Sequence, residues 1–185
     1  SDDSTDEETK MTIEKAGHRW IKWINGPKKG PATNRNNGVR YAHGEWILFI
    51  DDDCLPDAGL LKNYTHALKQ HPETLVFEGR ITVDRPKRHF FEESPINENG
   101  GYLWGCNFMI NKNYFEKVLE GFDEKFPFPS MEDVDLEVRI RKNNQKSFFV
   151  KEAFVIHPWR LRKDPVEMYR KTIISQKYFY DKHPE

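Results

Sequence analysis

The sequence predicts an α/β fold with a mostly parallel sheet flanked by helices, in one domain over residues 1–185. Two observations carry this. Apolar strand-like runs alternate with segments of helical spacing through the first half of the chain. The run Ile47-Leu48-Phe49-Ile50 is apolar throughout, as expected of a strand buried on both faces, and it stops abruptly at Asp51-Asp52-Asp53.

In chain order, residues from about Thr5 to Ala16 have helical composition, with Ser4 or Thr5 as cap and Gly17 as stop. Trp20 to Ile24 alternates in part and reads as a short strand. Asn25 to Pro31 is a loop rich in Gly and Pro, and Thr33 to His43 a helix ended by Gly44. After the central strand, Leu60, Leu61, Tyr64, Ala67 and Leu68 recur at helical spacing until His71-Pro72. A strand begins at Leu75-Val76-Phe77 and continues through Ile81 to Val83. Asp84 to Gly101 lacks periodicity and reads as a long mobile loop over a site.

Phe108 to Ile110 is a strand, Tyr114 to Leu119 a short helix, and Phe122 to Ser130 a loop containing Phe126-Pro127-Phe128-Pro129. Met131 to Lys142 is a helix with Met131, Val134 and Val138 on one face. Ser147–Val150 and Ala153–Ile156 are short strands, and Pro165 to Tyr180 is the last helix.

Composition narrows the function. Charged residues make up 32% and the net charge is −1, which does not indicate a general nucleic-acid surface. Aromatics reach 14%, enough for aromatic-lined pockets as well as a core. Cys54 and Cys106 form neither a disulfide framework nor a zinc pattern, and fit a reducing compartment such as the cytoplasm. The C-terminal stretch mixes Arg160, Arg162, Lys163, Arg170, Lys171 and Lys177 with Trp159, Tyr169, Tyr178, Phe179 and Tyr180. It reads as an ordinary solvated helix, or as one lying on a membrane surface.

Three constellations carry chemistry. Carboxylates crowded at Asp51-Asp52-Asp53 repel one another, and Mg²⁺ or Mn²⁺ is the simplest compensation. Such an ion keeps open positions for substrate phosphates, and loops at the carboxyl ends of parallel strands are where open α/β sheets bind ligands. Glu132-Asp133-Val134-Asp135-Leu136-Glu137 holds four carboxylates within six residues, more than a helix start needs. Glu132 or Asp133 is positioned there to act as a general base. His157 follows a predicted strand, where a neutral imidazole completes a Mn²⁺ site.

Taken together, Ser1-Asp2-Asp3-Ser4-Thr5-Asp6, Asn34-Arg35-Asn36-Asn37-Gly38, Ala42-His43-Gly44-Glu45 and Ile50-Asp51-Asp52-Asp53 resemble ordered motifs of family 2 glycosyltransferases. Gly121-Phe122-Asp123-Glu124 and Glu132-Asp133-Val134-Asp135-Leu136 resemble the same family's acceptor-side motif. The resemblance implies the Rossmann-like GT-A fold without its first strand, helix and strand. It implies a nucleotide-sugar donor, a UDP-sugar first, and a saccharide or lipid-linked acceptor. By that resemblance Asp3, Arg35, Asp51 and Asp52 face the nucleotide, and Trp104 and Gly105 border the donor sugar. Asp53 and His157 would hold the metal, and Asp133, with Glu132 second, would be the base of an inverting transfer.

Two other readings remain. One is a domain that binds a nucleotide and divalent metal without turnover. The other is a haloacid-dehalogenase-type phosphoryl-transfer enzyme, which also places Asp-x-Asp after an apolar strand but departs from this sequence at Leu55.

Overall fold

A computed structural model describes residues 1–184. In order, the chain forms α1 (Glu8–Ala16), α2 (Pro31–Tyr41), β1 (Trp46–Ile50), β2 (Leu55–Pro56), α3 (Leu60–Gln70) and β3 (Val76–Thr82). There follow β4 (Glu92–Glu93), β5 (Asn107–Asn111), a π turn at Tyr114–Val118, α4 (Glu132–Lys142), β6 (Phe148–Ile156), β7 (Arg160–Leu161) and α5 (Pro165–Lys182).

The five-stranded sheet has the order β1-β5-β3-β6-β2. β3 and β6 pair in parallel, while β5 runs against both β1 and β3, and β2 against β6. Thus β1, β3 and β6 share one direction, the majority that was expected, and end on the same side. Side chains alternate between two cores. Ile47, Phe49, Val76, Phe108 and Ile110 face Phe115, Phe122, Leu136 and Ile140. Phe77, Ile81, Met109 and Val155 face Leu60, Tyr64 and Ala67 of α3. Phe49 stacks on Phe108, its partner in the β1–β5 ladder, with centroids 4.7 Å apart.

Several expectations are corrected. Trp20 to Ile24 forms no strand: only Asn25 bridges to Asp2. The Asp2 carboxylate accepts from Ser4 N and Trp23 Nε1, so the chain turns before a ladder can extend. α1 starts at Glu8 and neither Ser4 nor Thr5 caps it, although Gly17 closes it in the left-handed conformation (φ 66°). Met131 is not helical but precedes α4 with φ 75°. The buried face of α4 is Glu132, Asp135, Leu136 and Ile140, rather than Met131, Val134 and Val138.

The two C-terminal strand segments form one strand, β6, with a register shift opposite Gly79 and Arg80. A β-carbon on Gly79 would collide with Asn107, Tyr64 and Ala153, and Asn107 Nδ2 fills the shift by donating to Arg80 O and Ala153 O.

The Asp84–Gly101 segment is fastened rather than free. Its buried Glu92 accepts from Arg85 Nη2 (2.6 Å), Arg88 N and His89 N. β4 pairs with β7, and Asn97 bridges to Ile81. Near its end, buried Glu78 accepts from Asn97 Nδ2, Gly101 N, Tyr102 N and Ser147 Oγ.

Candidate active site

α2 is held in one rotation by Asn36, whose buried amide donates to Phe122 O and accepts from Phe122 N. That lock turns the neighbouring Arg35 toward the carboxyl end of β1. Arg35 donates to Asp51 Oδ1 at 2.8 Å and to Glu132 Oε1 at 3.2 Å, so one guanidinium ties the end of β1 to the start of α4. Its carbon lies 5.6 Å from the centre of the Phe122 ring. Burial opposes the Arg35 charge, but Asp51 and Glu132 outweigh it and hold the guanidinium above its ordinary value. Gly105 lets it approach: a β-carbon there would sit 2.9 Å from Arg35 Cζ.

α4 opens on two carboxylates of unlike surroundings. Glu132 is bound to Arg35 through Oε1, while its Oε2 is buried without a hydrogen-bond partner. Burial pushes the Glu132 carboxyl up and the Asp133 charge adds to this, with Arg35 pulling the other way. Burial pushes the Asp133 carboxyl up as well, opposed by the Val134 N–H, Arg35 and the Gly105 N–H. Among the described residues Asp133 forms no ion pair. Asp135 points to the back of the helix, where it meets Arg139, Lys182 and His183. Glu137 pairs with Arg141.

The third group lies where β6 ends. His157 is 1% exposed, and its Nδ1 lies 2.9 Å from Pro158 O. A carbonyl can only accept, so a neutral imidazole here carries its proton on Nδ1 and presents the Nε2 lone pair. Nε2 faces Asp53 Oδ1 at 3.6 Å, and that buried oxygen has no hydrogen-bond partner. Two lone-pair atoms facing each other in a buried place are stable with a cation between them, so a divalent ion fits these residues. Cys54 Sγ joins them, the three ligand atoms lying within 4.8 Å of one another. The other oxygen of Asp53 is paired with Arg160.

The remaining predicted residues are placed as follows. Asp3 accepts from Lys28 N at 2.8 Å and packs against Gly26, beside Asn34 of α2. Asp52 is exposed, with no side-chain partner among the described residues. Trp104 is half-buried against the second core and stacks on Tyr102.

Sequence reasoning missed the parts played by Arg160 and Cys54. Both sit within three residues of a predicted ligand, which is the signal that could have found them. A groove of about 750 Å³ lies away from these groups, lined by Arg40, Asp123, Arg139 and Lys182.

Comparison with known proteins accords with this geometry. A family described as Glycosyl transferase family 2 matches residues 1–167. The chain is similar to the GalNAc(5)-diNAcBac-PP-undecaprenol beta-1,3-glucosyltransferase of Campylobacter jejuni, 26% identical over 171 residues. That match takes in 85% of this chain and 53% of the relative, so the chain spans about half the length of the curated relative.

Among solved structures, GalNAc-T7 with UDP, GalNAc and Mn²⁺ superposes with a TM-score of 0.70 at 15% identity, over 98% of this chain and 43% of that one. TarS of S. aureus superposes with a TM-score of 0.60 at 16% identity, over 91% and 31% respectively. These two likenesses establish the fold, the GT-A arrangement of a mixed sheet between helices.

Proposed function

Because the chain belongs to glycosyltransferase family 2, we propose that it catalyses metal-dependent transfer of a sugar from a nucleotide sugar to a hydroxyl acceptor, with inversion. The observation that carries this reading is the double ion pair of Arg35, which unites Asp51 with the carboxylates that open α4. Asp3, Arg35, Asp51 and Asp52 bind the nucleotide, a UDP-sugar first, and Trp104 and Gly105 border the donor sugar. Asp53 and His157 hold Mn²⁺ or Mg²⁺. The ion supplies positive charge for the leaving diphosphate.

Asp133 takes the proton of the acceptor hydroxyl as its oxygen bonds to the anomeric carbon and the bond to the diphosphate breaks. Its pushed-up pKa suits it to hold that proton, and its freedom from ion pairs leaves it available. Glu132, engaged by Arg35, orients the guanidinium and is the second candidate.

The acceptor is a saccharide, lipid-linked in the simplest case. The Campylobacter relative bears the name of an enzyme for an undecaprenol-linked substrate. α5 adds support, since Val166, Tyr169, Ile173 and Tyr180 are exposed on one side with Arg170 and Lys177 between them. Such a face suits contact with a lipid surface. Among the described residues no helix is long and apolar enough to cross a membrane.

The test is calorimetric titration of UDP with and without Mn²⁺, beside an assay of transfer and donor hydrolysis over a panel of nucleotide sugars. Metal-enhanced binding lost in Asp53→Asn, together with turnover, is the expected result. Equal UDP affinity in chelator removes the metal from the reading. Binding with no turnover on any donor favours a nucleotide-binding domain instead.

A further inference from the structure

Carboxylates and an imidazole alone do not account for all that surrounds the position between Asp53 and His157. β2 runs against β6 with Leu55 opposite Ile156, so the next pair along the ladder sets Cys54 across from His157. The turn that closes with Cys54 N donating to Asp51 O (3.1 Å) turns Asp53 and Cys54 together toward the imidazole. Cys54 is 7% exposed, and its thiol donates to Cys106 O at 4.0 Å, a weak hydrogen bond. Its sulfur, an Asp53 oxygen and a His157 nitrogen lie within 4.8 Å of one another.

We infer that Cys54 is a third, sulfur ligand of the ion held by Asp53 and His157, so that the site takes Mn²⁺, and the softer probe ions Co²⁺, Zn²⁺ and Cd²⁺, in preference to Mg²⁺. This rests on the metal site proposed above and sharpens which ion it takes.

Two ligand atoms about 2.1 Å from one ion at the tetrahedral angle lie roughly 3.4 Å apart. The observed 3.6 Å between Asp53 Oδ1 and His157 Nε2 is close to that. A set of one oxygen, one nitrogen and one sulfur leaves a fourth position open, as in catalytic zinc sites, and the diphosphate can fill it. Thiolate ligands favour borderline and soft cations, whereas Mg²⁺ demands oxygen. Binding exchanges the thiol proton for the ion, and that proton passes to solvent. The competing account is a buried cysteine acting as a small apolar side chain in the second core.

Titration of the metal-stripped chain with Co²⁺, followed by absorption, separates the two. A sulfur-to-cobalt charge-transfer band is expected in the wild type and in Cys106→Ser, and its loss in Cys54→Ser. Even an outer-shell change costs about 10–100-fold in metal affinity, so Cys54→Ser should weaken Cd²⁺ binding at least about 10-fold while Mg²⁺ binding barely changes.

X-ray absorption of the zinc-loaded wild type needs no variant and should find one sulfur at about 2.3 Å. Cobalt bound without the charge-transfer band overturns the sulfur ligand and leaves the Asp53–His157 site standing. No binding of Co²⁺, Zn²⁺ or Mn²⁺ overturns both.

Discussion

Asp133→Asn keeps the shape of the side chain and removes its basicity, so kcat should fall by about 10²–10⁴ while UDP affinity stays near normal. Steady-state kinetics beside a binding titration checks it. The same change should raise Tm at neutral pH. Burial pushes the Asp133 carboxyl up, so the fold prefers its protonated form. Its contribution to stability is full below the unfolded aspartate value and lost as pH rises through the raised folded value, and Asn escapes that loss. On the acid side, kcat/KM should decline at a pH above the ordinary aspartate value of about 3.9. Gly105→Ala drives a β-carbon against Arg35 Cζ, which must shift the guanidinium off Asp51 or Glu132. Weaker UDP binding, with the melting transition little changed, is the expected outcome.

At the scale of elements, the segment from Asp84 to Gly101 depends on Glu92. Arg85 holds its carboxyl down to about 2, helped by the Arg88 and His89 amides. The tether is therefore complete above the usual glutamate range and is lost as pH falls toward about 2. Glu92→Gln should speed hydrogen exchange at the Arg88 and His89 amides at neutral pH, with β3 unaffected. An unchanged exchange rate would mean that β4–β7 pairing alone holds the segment. Nothing local in the sequence announces this anchoring. Glu78 and Asn97 are 19 residues apart and become partners only after β3 is in place. The same limit explains Met131, where an acidic helix start was legible but the left-handed residue ahead of it was not. Trp20 to Ile24 carried the alternation of a strand, but a strand needs a partner, and Asp2 spends its carboxylate on a turn.

In the whole molecule the two cores meet at the sheet, and Phe108 is fully buried at its middle strand pair. Phe108→Ala should cost about 3–5 kcal/mol, read by denaturant unfolding. The alternation of helices and strands was legible because both faces of the sheet are covered, giving uninterrupted apolar runs. The direction of β5 was not, since a five-residue strand with four buried residues looks alike whichever way it runs. Of the candidate site, each carboxylate and His157 could be marked singly. Arg160 and Cys54 stood beside predicted ligands but carried no pattern of their own: the β4–β7 pair carries Arg160, and the β2–β6 ladder sets Cys54 across from His157. That strand order has a kinetic corollary. β1 waits for β5, and the two residues of β2 find β6 only after about ninety more have joined the chain. Non-local pairings of this kind slow folding into the range of about milliseconds to seconds. Until β6 arrives, the half-assembled sheet is the species most exposed to aggregation, so refolding yield should fall with protein concentration.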